Sequence, residues 1–210
     1  MNSSKSTVET LSWVGNLDGH QRMIEQTRLP GEFLEIDCLE IQEVWDAIKQ
    51  LKVRGAPAIG IAAAYGVCLA AKNAIQTGTQ DPQQATQEQA DYLATSRPTA
   101  VNLFWALNRM KPVIQSDATD PAEWQRRLLK EAREIHEEDR RMCHRIGECG
   151  AALLSDGDSV LTHCNAGGLA TAEYGTALSV FFTAQDQGKS LHVFVDETRP
   201  LLQGARLTAW

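Results

Sequence analysis

The chain has 210 residues, 43% hydrophobic and 22% charged, which is enough for one large or two small globular domains. Its net charge of -7, with no run of basic residues, argues against a nucleic-acid footprint or a polybasic membrane patch. Cys38, Cys68, Cys143, Cys149 and Cys164 make an odd count without a CxxC pair, so reduced thiols in a cytoplasm are expected rather than a disulfide framework.

The opening MNSSKSTVETLSWVGN has no apolar core of the signal-peptide kind, and no leader is expected. Residues 11–38 mix short apolar stretches with Gly15, Gly19, Pro30 and Gly31, which predicts a small antiparallel meander. The period then changes. Ile41, Val44, Trp45, Ile48 and Leu51 fall on one helical stripe that stops at Arg54-Gly55. A second helix is expected from Pro57. Its apolar run at 56–71 (APAIGIAAAYGVCLAA) is alanine-rich and too short to span a bilayer, which suits a buried helix. A third helix follows Asp81-Pro82 and ends near Ala94, and a fourth is expected to start at Pro98. The stretch QSDATDP (115–121) reads as a polar linker.

Beyond it, Trp124, Leu128, Ala132, Ile135, Met142, Ile146 and Leu153 mark one long helix whose other face is charged and solvated. From Gly157 the pattern is strand (SVLTHC), helix (169–184, LATAEYGTALSVFFTA), strand (191–195, LHVFV). This is a βαβ unit, hence a parallel sheet with a right-handed crossover. Residues 203–210 read as a further amphipathic helix. Two parallel strands cannot bury both their faces, so the polypeptide is expected to stop partway through its second domain. The expected fold is α/β: a mostly helical N-terminal domain with a small meander (1–120), a long connecting helix (121–154) and the first half of a Rossmann-like domain (155–210).

Three junctions stand out as places for an anion. VRGAPAIG (53–60) and TSRPTAVN (95–102) each set an arginine just before a proline suited to a first helical turn. Free N–H groups and the helix dipole favour an anion there, and a guanidinium adds charge-assisted contacts suited to phosphate. Equally, Arg54 and Arg97 can cap carbonyls or pair with surface acids. The third junction, CNAGG (164–168), places Cys164 where a strand runs into a helix, the usual ligand position of open α/β sheets. A helix dipole there can activate a thiol, while a free cysteine also serves as a small packing group. His163 alternates away from the Cys164 side and reads as structural. No His/Cys/Asp cluster has metal-ligand spacing. CNAGGLA lacks the first glycine of GxGxxG, so Asp196 at the end of the second strand is weak support for a dinucleotide.

Taken together, VRGAPAIGIAAAYG, ADYLATSRPTAVNLFWALNRM, LTHCNAGGLATAEYGTAL and VFVDETRPLLQGARLTAW resemble the methylthioribose-1-phosphate isomerase family, aldose–ketose isomerases of methionine salvage. That wider family includes ribose-1,5-bisphosphate isomerases and regulatory α, β and δ subunits of a translation-initiation exchange factor. The resemblance covers the chain from about Leu11 onward. It implies a sugar-phosphate substrate between two domains, no metal or nucleotide cofactor, and a homodimer when full length. Carried over by position, the family's phosphate and sugar contacts fall on Arg54, Gly55, Ala56, Arg97 and Gln203, and its catalytic cysteine on Cys164. The family's catalytic aspartate, in a TDNMA-like segment, and a later Asn-Lys pair have no counterpart here. The 210 residues alone are therefore expected to be inactive.

Overall fold

The computed structural model describes residues 8–210. The reading of the opening segment as free of a leader lies largely outside the described residues. Strands β1 (Leu11–Val14), β2 (His20–Ile24) and β3 (Glu35–Cys38) form the expected antiparallel meander, with Leu11 opposite Met23 and Gln21 opposite Cys38. Leu11, Met23 and Cys38 turn inward to one side, as period-two alternation requires.

Helix α1 (Ile41–Lys49) begins with a capping box in which Glu40 and Glu43 exchange backbone contacts. Its stripe of Ile41, Val44 and Ile48 packs on α2 (Ala56–Gln76). Fifteen of the 21 residues of α2 are buried, because α1, α3 (Pro82–Ala94), α4 (Val101–Ile114) and α5 (Pro121–Ala151) surround it. The helix runs five residues past the apolar stretch expected from sequence. By length and composition it could cross a membrane, yet protein packs around it. Its run of alanines lets these neighbours approach closely, and Tyr65 is its largest fully buried side chain.

Asp81 and Asp120 cap α3 and α5, each followed by a proline at the first helical position. At 31 residues α5 is about 46 Å long. Its inner face carries Trp124, Leu128, Ala132 and Ile135. Its outer face is laced by Arg126–Glu123, Arg140–Glu137 and Arg145–Glu148 pairs. Such exposed pairs contribute little stability, in keeping with a solvated surface.

The C-terminal end of α5 supports the second layer. Gly147 and Gly150 face α6 (Ala177–Asp186). A Cβ at Gly147 would lie 2.4 Å from Thr183 Oγ1, and one at Gly150 2.4 Å from Val180 Cγ2. Only glycine permits that approach. Strands β4 (Ser159–Thr162) and β5 (His192–Val195) pair in parallel, Ser159 beside His192 and Thr162 beside Val195, with α6 as the crossover. The chain is thus α/β, a helical part with a meander followed by a Rossmann-like parallel unit. Leu161, Val193, Phe194 and Val195 stay exposed on this small sheet.

Three helix expectations are corrected. Helix α4 starts at Val101, not Pro98, because Ala100 N–H closes a turn on the Arg97 carbonyl at 3.0 Å. Residues 169–184 are not one helix. A single 3-10 turn (Gly168–Ala170) is followed by irregular chain up to α6, with Tyr174 at a φ of 69°. The segment 203–210 contains one π-helical turn, Gly204–Thr208, rather than a regular amphipathic helix.

Candidate functional site

Cys164 lies two residues beyond the C-terminal end of β4, exposed, with a φ of 66°. A non-glycine residue in the left-handed region stores about 1–3 kcal/mol of backbone strain, and such strain clusters at functional sites. Its Sγ is 3.7 Å from Gln203 Oε1, and its carbonyl accepts from Thr208 Oγ1 at 3.2 Å. Gln203 is held in turn. Its Oε1 accepts from Thr198 Oγ1 at 3.1 Å, and its N–H donates to that same hydroxyl oxygen at 3.0 Å. The Glu197 carboxylate accepts from Gly204 N–H at 2.8 Å and Ala205 N–H at 3.0 Å, which fixes the turn that follows β5. These backbone donors offset the cost of burial and leave the Glu197 pKa below the usual carboxylate range.

Arg54 is the electrostatic centre. It is only 5% exposed, and its Nε and Nη2 are buried with no hydrogen-bond partner among the described residues. Burial first, then the charges of Arg206 and Arg97, push its pKa below the ordinary arginine range. An arginine still keeps its proton in a protein. Among the described residues no carboxylate pairs with Arg54, Arg97 or Arg206. Three cations therefore converge without a counter-charge, against a chain whose net charge is -7.

Gly55 explains why Arg54 sits so deep. It is the N-cap of α2 with a φ of 94°, and a Cβ there would meet Ala170 Cα at 2.3 Å. The Arg-Gly-Ala-Pro loop is thereby pressed onto the turn that continues from CNAGG. Ala56 opens α2, where first-turn N–H groups have no intrahelical partner and Pro57 contributes none. Gly60 packs against the first turn of α4, where a Cβ would be 3.0 Å from Asn102 O, so the Arg97 turn is brought beside the same helix end. The late start of α4 places Arg97 four residues before the helix, and the dipole argument made for it does not hold. A single 3-10 turn after Gly167 likewise gives Cys164 no macrodipole of its own.

The loop after Cys164 is clamped from the N-terminal part. Thr10 Oγ1 donates to Gly168 O at 2.6 Å and Thr10 N–H to Ala172 O at 2.9 Å. The buried Gln26 donates to Leu169 O at 2.8 Å, and Asp139 Oδ2 accepts from Ala172 N–H at 2.7 Å. Burial raises the Asp139 pKa despite that bond. Thr10, Gln26, Asp139, Glu197 and Arg206 were not singled out from sequence, where no local motif marks them. His163 faces Asp196 at 3.4 Å on the exposed ends of the strands. All five cysteines are free; Cys38, Cys68 and Cys143 are buried, and burial pushes the first to about 12 and the last to about 11. An apolar cleft of about 400 Å³ flanks the loop at Asn165, Gly167, Leu169, Leu178 and Leu207. None of the three arginines lines it. Among the described residues, no group of three His, Cys, Asp or Glu side chains could hold a metal ion.

Comparison with known proteins agrees with this architecture. Residues 52–210 match the model of the initiation factor 2 subunit family. A 5-deoxyribose 1-phosphate isomerase of Moorella thermoacetica is 55% identical over 97% of this chain and 57% of its own length. A methylthioribose-1-phosphate isomerase of Rhodopirellula baltica is 55% identical over 90% and 53%. Among solved structures, a 5-methylthioribose 1-phosphate isomerase from Pyrococcus horikoshii superposes with a TM-score of 0.87 at 41% identity, covering 96% of this chain and 56% of that one. A structure described as translation initiation factor eIF-2B, subunit delta, from A. fulgidus reaches 0.85 at 42%, covering 97% and 58%. The chain thus spans between half and three fifths of the length of these relatives. By the match over residues 52–210, the chain belongs to the initiation factor 2 subunit family.

Proposed function

We propose that this chain carries the phosphate grip and the reactive thiol of an aldose–ketose isomerase that converts 5-methylthioribose 1-phosphate to 5-methylthioribulose 1-phosphate. The observation behind the proposal is Arg54: a buried guanidinium without a partner among the described residues, acted on by two further cations, whose neighbour Gly55 packs against Ala170 in the loop that follows Cys164. Burying an uncompensated charge costs several kcal/mol. A phosphate dianion reverses that penalty, accepting from Arg54, from Arg97 and from the first-turn N–H groups that start at Ala56. The name of the Rhodopirellula baltica relative supplies the sugar, and the Moorella thermoacetica relative is named for another pentose 1-phosphate, 5-deoxyribose 1-phosphate.

The chemistry fits the parts. A phosphate on the anomeric carbon blocks spontaneous ring opening, so the ring must be opened by the protein. A hydrogen then moves from C2 to C1. With the phosphate fixed at Arg54, Cys164 faces the adjacent sugar carbons, and Gln203 holds the thiol's direction through its amide oxygen. Both steps call for positioned acid–base groups. We assign Cys164 to the chemistry and Arg54, Gly55, Ala56, Arg97 and Gln203 to binding. The division into 1–120, 121–154 and 155–210, a cytoplasmic setting with reduced thiols, and a homodimer of the full-length protein belong to the same reading.

The A. fulgidus likeness favours a second reading, a regulatory subunit of the exchange-factor type. Calorimetry separates the two. The isomerase reading expects binding of 5-methylthioribose 1-phosphate that is lost with unphosphorylated 5-methylthioribose and weakened by Arg54→Met. Equal affinity for both sugars, or an unaffected Arg54→Met, refutes it.

A further inference from the structure

Arg206 lies three residues beyond Gln203, in the turn that faces Cys164, yet its side chain reaches into the N-terminal part. Its Nη2 donates to Thr27 O at 2.7 Å and its Nε to Leu29 O at 3.2 Å. That loop is joined to the one before Arg54, because Gln26 N–H donates to Lys52 O at 2.9 Å. Arg206 is thereby anchored to the loop that is hydrogen-bonded to the stretch before Arg54, and its charge, ahead of that of Arg97, acts on that buried guanidinium. Two of its five N–H donors are taken by carbonyls, which fix the plane of the fork. Neither partner is a carboxylate, so the charge is anchored without being neutralised.

We propose that Arg206 is a third arm of the anion cradle, and that through it a bound phosphate draws the Gln203 turn onto Cys164. This rests on the reading of Arg54 and Arg97 as a phosphate grip. Without an anion, Arg54 and Arg206 repel across the seam between the two parts of the chain. With one between them, each is attracted to it, and the seam is held by the ligand. Arg206 and Gln203 belong to one short turn, fixed at its start by Glu197. Movement of the guanidinium toward the anion is therefore carried to the amide beside the thiol. Binding and thiol geometry become one event.

The test uses this chain with inorganic phosphate as the probe and chloride at equal ionic strength as the control. Phosphate affinity is measured by calorimetry for the wild type, Arg206→Met, Arg206→Gln and Arg54→Met. Arg206→Gln keeps an N–H₂ for a backbone carbonyl while removing the charge, and so covers the case in which Met spoils folding. The rate of Cys164 alkylation is followed at saturating phosphate. The expected result is a ten- to hundredfold loss of affinity in both Arg206 variants, the worth of one charge-assisted contact. Phosphate should also slow Cys164 alkylation in the wild type and not in these variants. If Arg206→Gln binds phosphate as the wild type does while Arg54→Met loses it, Arg206 is only a latch and the inference falls alone. If Arg54→Met and the wild type bind alike, or the wild type binds no phosphate, the grip itself is refuted and the inference with it.

Discussion

Replacing Arg54 by methionine should make the protein more stable and less able to bind. The side chain is 5% exposed, and two of its nitrogens are buried without a partner. Exchanging buried charges for apolar groups of similar volume stabilises other proteins by about 1–4 kcal/mol. Here the repulsion from Arg97 and Arg206 is relieved as well, so the change should lie in that range. For a chain of this size each kcal/mol moves the melting midpoint by about 2–4 °C, giving a rise of about 2–16 °C for Arg54→Met in chloride buffer. Phosphate should act in the opposite sense. At a hundred times its Kd it stabilises the wild type by about 2.7 kcal/mol, and it should do almost nothing for the variant. Differential scanning calorimetry with and without phosphate reads both effects. A melting point for Arg54→Met below that of the wild type in chloride would show that Arg54 has a stabilising partner, and the argument for an anion grip would fail.

The remaining predictions address other links. Gly55→Ala should destabilise by about 2–5 kcal/mol, since it joins left-handed strain to a clash with Ala170 backbone; an unchanged midpoint would contradict the close approach. In native protein iodoacetamide should modify Cys164 and Cys149 and spare the three buried cysteines, and 5-methylthioribose 1-phosphate should protect Cys164 alone, as read by mass spectrometry. His136 is buried with its pKa lowered to about 4, so the unfolded chain binds the proton more readily; stability present above pH 6.5 is lost as pH falls toward 4, by on the order of 3 kcal/mol. A His136→Phe variant with an equally steep acid limb in denaturant titrations would assign that loss elsewhere. The exposed Leu161, Val193 and Phe194 should drive concentration-dependent association that Phe194→Lys reduces in light scattering.

Much of the fold was legible because local rules and tertiary packing agree. The meander, the Asp-Pro helix starts and the βαβ order each follow from patterns that the structure repeats. The misreading of 169–184 as one helix has its cause in buried polar anchoring. Residues 169–184 have helical spacing, but Thr171 Oγ1 donates to Glu173 O at 2.9 Å, and the buried Glu173 pairs with Arg140 at 3.1 Å and His144 at 3.3 Å. Those bonds outweigh propensity and break the helix. At Pro98 the fixed φ suits a first helical turn and also a plain turn, and the Arg97 carbonyl selects the second. Arg206 was not legible at all. Its role depends on carbonyls at Thr27 and Leu29, far away in sequence and without any side-chain signature.

The geometry that buries Arg54 and the geometry that presents Cys164 have a single origin. Ala170 meets Gly55, and that contact sets the depth of the arginine. The turn containing Ala170 is also the piece clamped by Thr10 and Gln26, and it leads back through Gly167 to the thiol. A side chain at Gly55 would therefore push on the loop that bears Cys164 as well as on Arg54. On the proposed reading, the wild-type protein relieves this buried charge by taking up an anion. On that reading its arrival would be registered at the same turn that positions the thiol. If the proposal holds, such a site should favour ligands that carry the phosphate and the reacting carbons in one molecule, because only these use both halves of the contact at once.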